Sequence, residues 1–89
     1  MTVTINGTTG IATPDGSAGV PSHTGSSGST NGLYFPSATT MALASNGTQA
    51  LYIDASQNVG IGTATPSNKL HVSYSGDNGI RLTSSSGSN

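Results

Sequence analysis

The chain has 89 residues, enough for at most one ordinary domain, and only 31% of them are hydrophobic. Its charged residues are two basic and three acidic side chains, which give a net charge of −1. This charge excludes the basic stripe that nucleic-acid binding requires, and no apolar run is long enough to cross a membrane. We therefore expect neither a nucleic-acid partner nor membrane insertion.

The supply of large apolar side chains is too small for a self-sufficient core. Small extracellular domains often compensate with disulfides, but this chain contains no cysteine. Oligomerisation is the remaining way to complete an interior. The N-terminal "MTVTING" also lacks the basic and then apolar order of a secretion signal. Any export must therefore depend on something other than this stretch.

Residues 1–14 are predicted to form an N-terminal β segment, with Val3 and Ile5 on one face of a strand. Residues 15–32, "DGSAGVPSHTGSSGSTNG", are rich in glycine and serine and are predicted to form a polar loop. Residues 83–89 form a polar tail. This tail either continues into a further segment of a longer protein or ends a naturally short chain.

Residues 33–82 are predicted to be a β region of short strands. Alternating aliphatic residues mark the strands Leu51/Ile53, Val59/Ile61, Leu70/Val72 and Ile80/Leu82. Residues 37–45 are also predicted to be extended, because threonine and serine flank their apolar positions. Glycine before an aliphatic residue, with proline soon after, recurs in the chain and favours short strands that end abruptly. Pro66 is predicted to close the turn between the strands at 59–61 and 70–72.

Two Asn-Gly-Thr triplets begin at Asn6 and Asn46. Each matches a glycosylation sequon, and each also matches the dipeptide preferred in a type I′ hairpin turn. We favour the turn, whereas a eukaryotic or surface-layer source would favour glycosylation.

Catalytic and metal chemistry have little support in the sequence. There is no Gly-x-Ser-x-Gly motif and no glutamate, so we predict no enzyme, no catalytic residue and no cofactor. Residues 54–60 begin like a calcium loop but lack its glycine and its final glutamate, so we predict a simple turn and no metal. His71 could meet its symmetry copies around a metal ion, although a solvent-facing imidazole is the preferred interpretation.

One stretch resembles a known family. Residues 47–72, "GTQALYIDASQNVGIGTATPSNKLHV", resemble the recurrent segment of bacteriophage tail fibre and related virion appendage proteins, which is built on Asn-Val-Gly-Ile-Gly-Thr, a proline and Lys-Leu-x-Val. Residues 31–48 and 8–17 look like flanking segments of the same fibres. This chain has Gln57 where the family often carries glycine, and Ala50 and Tyr52 where basic residues are common.

The resemblance implies an elongated all-β shaft in which three identical chains intertwine, located in a virion or outside the cell. From the residues, we predict an assembly core whose aliphatic side chains point to a shared interior, where two glycines admit a neighbouring backbone. An ordinary antiparallel hairpin is the alternative. The predicted assembly core is Leu51, Ile53, Val59, Gly60, Ile61, Gly62, Pro66, Leu70 and Val72.

Three functions remain open at this point. The first is a structural component of a tail fibre or other extracellular fibre, with copies of itself and other virion proteins as partners. The second is an adhesive tip that binds a host surface glycan through aromatic and Asn or Asp side chains. The third is a subunit of an open filament, because a head-to-tail contact need not close into a ring. Short turns, low charge and a repeating texture favour the first.

Overall fold

The computed structural model describes residues 4–8, 10–77 and 79–85, and within them the fold is all-β with no helix. Two strands form a small sheet and six form a larger one, in the order in which they occur along the chain. The strands are β1 (Thr4–Asn6), β2 (Gly10–Ala12), β3 (His23–Gly25), β4 (Gly28–Ser37), β5 (Thr40–Ser45), β6 (Thr48–Ile53), β7 (Val59–Ile61) and β8 (Leu70–Val72).

The N-terminal β segment is a separate antiparallel hairpin of β1 and β2, in which Ile5 pairs with Ile11. Asn6 Oδ1 accepts a hydrogen bond of 2.8 Å from the Thr8 backbone N–H, and Gly10 has a φ of 71°. The turn is therefore built from an asparagine side chain and a glycine in the left-handed region. The predicted partner of Ile5 in the strand, Val3, lies outside the described residues.

The prediction of one polar loop over 15–32 is wrong in its second half. Within this range lie β3 and the beginning of β4, which pair antiparallel across a two-residue connection at 26–27. Composition suggested a flexible linker, but threonine and serine fit a pleated strand when a neighbouring strand supplies hydrogen-bond partners. Residues 15–22 remain a turn region, in which the Ser17 and Val20 backbones bond each other at 3.0 and 3.2 Å.

The hairpin of β5 and β6 confirms one prediction in full and another in part. Of the residues 37–45 predicted to be extended, 40–45 form β5, whereas 38 and 39 form the turn between β4 and β5. Asn46 and Gly47 connect the strands, and their φ values of 53° and 76° are the positive pair of a type I′ turn. Gly47 N–H also donates to Thr30 O at 2.9 Å, which ties the turn to β4.

The last strands differ from the prediction in topology. β7 and β8 pair in parallel, with Val59 opposite Leu70 and Ile61 opposite Val72. Because parallel strands need a crossover, Pro66 lies in an eight-residue connection, 62–69, and does not close a hairpin. This also excludes the antiparallel hairpin alternative. The predicted strand at Ile80/Leu82 is absent from the described residues, where this stretch has no regular secondary structure and pairs with no strand.

The interior is small. Among the described residues, the buried apolar side chains are Tyr34, Ala42, Ala44, Pro21 and Pro66, with Ala18 and Tyr52 packed against the first three, and no large side chain is fully enclosed. The Cα radius of gyration is 15.8 Å, whereas a compact domain of this length has about 12 Å. The larger sheet is thus covered by only a few residues of its own chain, and the molecule is elongated.

Candidate assembly surface

One face of the larger sheet carries two cross-strand rows of apolar side chains. The strand register places Leu33, Leu43, Leu51, Ile61 and Val72 in one row across β4 to β8. Directly paired residues project from the same side of a sheet, and so do residues two apart on a strand. The same register places Met41, Ile53, Val59 and Leu70 in the second row, across β5 to β8. We call this surface the aliphatic face, and its members are Leu33, Met41, Leu43, Leu51, Ile53, Val59, Ile61, Leu70 and Val72.

The aliphatic face has little cover from its own chain. Leu43 is 45% exposed and Leu70 is 60% exposed, and the remaining members are half-buried or exposed. None of its nine members is charged. A face this apolar and this open is typical of surfaces that bind another protein.

The opposite face is the one that the chain covers itself. Tyr34, Ala42 and Ala44 lie there, and the Tyr34 hydroxyl donates to Gln49 Oε1 at 3.0 Å. Burial and the nearby Tyr52 charge raise the pKa of Tyr34 above 10.0. Residues 13–22 contribute the cover, since Ala18 packs on this cluster and Pro21 is buried. The two faces of the sheet therefore differ in cover: the chain covers one face itself and leaves the aliphatic face open.

The six aliphatic residues predicted as assembly core all lie on the aliphatic face. Two of the other three do not admit a neighbouring chain in the way we expected. A side-chain carbon at Gly60 would lie 2.5 Å from Thr63 O and 3.4 Å from Pro66 Cβ. One at Gly62, where φ is 80°, would collide with Ser73 O. Both glycines therefore make room for their own chain, because the crossover passes beside Gly60 and the backbone after β8 passes beside Gly62. Gly60 and Pro66 are buried together on the covered side.

Sequence reasoning missed three members of the face, Leu33, Met41 and Leu43. Met41 and Leu43 alternate with Ala42 and Ala44 in β5, which is the signal that places them together. The alternation alone leaves open which set of side chains is covered. The covered set is the two alanines, because Tyr34 packs against them.

The loop between β6 and β7 is organised by one carboxylate. Asp54 Oδ1 accepts the backbone N–H groups of Ser56 and Asn58, each at 2.9 Å, and the Asn58 side chain reaches Oδ2 at 3.3 Å. The Asn58 backbone N–H is the largest of the contacts that lower the pKa of Asp54. Lys69 Nζ lies 3.5 Å from two carbonyls of the loop, those of Ser56 and Gln57.

This loop is a turn, as predicted. Asp54 uses its oxygens to hold the loop's own amides, so they are already engaged. In the part of the chain that the structure describes, no three His, Cys, Asp or Glu side chains are grouped to hold a metal ion. Gln57 has a φ of 64°, a conformation that favours glycine. The position where the resembled family often has glycine is thus a left-handed one.

His71 differs from the preferred interpretation of a solvent-facing imidazole. It lies opposite Gly60 on the covered side of the sheet and is half-buried. Its Nδ1 accepts the Ser67 backbone N–H at 3.1 Å. The ring carries its proton on Nε2 in this arrangement, and it secures the crossover between β7 and β8.

An open cleft of about 460 Å³ lies at one end of the aliphatic face. Phe35, Met41 and Ile53 supply its apolar lining, and Asp15 and Asp54 line it as well. The Asp15 carbonyl accepts the Phe35 N–H at 2.8 Å, which fixes the turn region beside β4. The cleft therefore combines an apolar floor with two of the three carboxylates of the chain.

Comparison with protein-family models, curated proteins and solved structures finds no match for this chain. No helix in residues 4–8, 10–77 or 79–85 has the length and apolarity to span a membrane. Function must be argued from the geometry and from the sequence resemblance.

Proposed function

We propose that this chain is a structural subunit of an elongated extracellular or virion fibre, and that its copies assemble by covering one another's aliphatic faces. A homotrimer is the form we expect, because residues 47–72 resemble the shaft segment of trimeric tail fibres. The observation that carries the proposal is the open aliphatic face on a sheet whose buried hydrophobic cluster, among the described residues, is limited to Tyr34, Ala42 and Ala44.

The surface area supports association. The chain exposes 6282 Å², whereas a compact folded chain of 8.7 kDa exposes about 4700 Å². The excess is about 1500 Å², roughly twice the 800 Å² that one partner loses in a standard protein–protein interface. This is the amount that a chain packed between two neighbours would bury, as each chain of a trimer is.

Burial between copies would also explain why the aliphatic face consists of uncharged apolar side chains. Exposed apolar surface contributes roughly 25 cal/mol per Å² when it is removed from water. Because the face has no charged member, identical copies can bring it together without burying like charges. Association thereby supplies the hydrophobic stabilisation that the thin interior of one chain lacks.

The test is the molar mass in solution, measured by light scattering together with resistance to detergent dissociation. The wild type should have about three times the mass of one chain. Ile61→Asp should reduce it to that of a single chain, because a charge would enter the covered face of every copy without a partner. Ile11→Asp is the matched control, since Ile11 is exposed in the small sheet, and it should keep the wild-type mass. A compact, stable single chain for the wild type would overturn the proposal.

A further inference from the structure

The cleft at the end of the aliphatic face has an unbalanced charge. Asp15 and Asp54 both line it, and no basic residue does. Lys69 is close to this region but points its ammonium group at two carbonyls of the loop after β6. The apolar floor of Met41 and Ile53 belongs to the aliphatic face, so a copy that covers the face extends to the cleft.

The other basic residue of the chain is Arg81, far along the sequence from these carboxylates. It is exposed, between Ile80 and Leu82, which are 65% and 74% exposed. Within the described residues, the stretch belongs to no strand of its own chain. Gly79 fixes where it begins, because the Tyr74 ring packs so closely over Gly79 that a side-chain carbon there would collide with it. The stretch therefore starts from a defined point, and its side chains are exposed.

We propose that Arg81 of one copy inserts into the cleft of the next copy. This inference rests on the proposed self-assembly and names the contact that links two copies. A long arginine stem packs on apolar surface while its guanidinium stays at a polar rim, and a guanidinium also stacks on aromatic rings. The cleft offers these partners in Met41, Ile53 and Phe35, with the Asp15 carboxylate as the counter-ion.

The contact is heterologous, because the stretch and the cleft are different surfaces of the same chain. A heterologous contact closes into a ring when its rotation allows and otherwise continues as a filament. The Arg81 contact thus supplies the directional link that an apolar face alone does not provide. Charge selects the register in which the copies meet, since Lys69, the other basic side chain of the sequence, is held at the loop after β6.

A charge exchange tests the pairing. Arg81→Glu alone and Asp15→Arg alone should each raise the dissociation constant of the oligomer about 10-fold or more, because each places like charges together in the cleft. The two substitutions combined should restore assembly to near the wild-type level. Ser26→Arg is the control. Ser26 is exposed in the connection between β3 and β4 and does not line the cleft, and its replacement should leave the dissociation constant unchanged.

Engineered cysteines test the geometry, and the chain has no cysteine that would interfere. Thr39 lines the cleft and Leu82 adjoins Arg81, so one preparation carries Thr39→Cys and a second carries Leu82→Cys. On mixing, dissociating and reassembling the two under mild oxidation, a covalent mixed dimer should form. Omission of either cysteine should abolish the mixed dimer.

The outcomes separate the inference from the proposed function. An oligomeric wild type whose mass is unaffected by Arg81→Glu and Asp15→Arg, or whose double exchange fails to restore assembly, overturns the Arg81 contact and leaves self-assembly standing. A monomeric wild type overturns both. A single chain carrying both Thr39→Cys and Leu82→Cys that closes an internal disulfide instead of linking copies would show that the stretch folds back on its own cleft, which also overturns the contact.

Discussion

At Gln57 a non-glycine residue holds a φ of 64°, a conformation that costs an ordinary side chain roughly 1–2 kcal/mol. Gln57→Gly should therefore stabilise the fold, by about 0.5–1 kcal/mol once the greater freedom of glycine in the unfolded chain is subtracted. The hydrogen bond from the glutamine side chain to Ala55 O at 2.9 Å is exposed and offsets little of this. Denaturant unfolding of the two proteins measures the difference.

The adjacent residue provides the control for that substitution. Ser56 is not among the residues with positive φ, so Ser56→Gly relieves no strain and only adds freedom to the unfolded chain. It should be neutral or destabilising. Equal stabilisation by both substitutions would contradict the role of the left-handed position.

Asp54 makes the stability of the fold depend on pH. Hydrogen bonds, first of all from the Asn58 backbone, hold the pKa of Asp54 below its ordinary value of 3.8. The ionised form is thus favoured by folding, so its contribution is complete above pH 3.8 and is lost as the pH falls through the lower folded pKa. We expect the thermal midpoint to decline in this acid range, and Asp54→Asn should flatten part of the decline.

The matched control for Asp54 is Asp77, which is exposed beyond the last strand. Asp77→Asn removes the same charge without touching the loop after β6, and the acid decline should persist in it. If Asp54→Asn and wild type lose stability along parallel curves below pH 3.8, the loop contacts do not couple to folding.

At the scale of the elements, local chemistry predicted the strands better than their partners. The aliphatic pairs at 51/53, 59/61 and 70/72 are strands, and the Asn46–Gly47 turn has the expected type. These features depend on neighbours within a few residues. The parallel pairing of β7 and β8 depends on a crossover that brings Pro66 under Gly60, and no local pattern encodes that return.

The same distinction explains the errors. Residues 23–32 have the composition of a linker, yet they pair because the adjacent strand supplies hydrogen-bond partners. Residues 80–82 have the alternation of a strand, yet in the part of the chain that the structure describes they pair with no strand. Likewise, the sequence identified six aliphatic members of the assembly surface by their alternation. It missed Leu33, Met41 and Leu43, because only the register of the sheet places them in the same rows.

For the whole molecule, a small buried cluster of Tyr34, Ala42 and Ala44 and an open aliphatic face link folding to association. If copies complete one another's interior, then unfolding also separates them, and the thermal midpoint must rise with protein concentration. For a trimer we expect roughly 5 °C for each tenfold increase, given the unfolding entropy of a domain of this size. Calorimetry or circular dichroism over a hundredfold range of concentration measures the slope. Because Ile61→Asp separates the copies, its midpoint should be low and independent of concentration, whereas Ile11→Asp should retain the slope. A wild-type midpoint that is high and constant across the range would mean that one chain is stable with its aliphatic face in water.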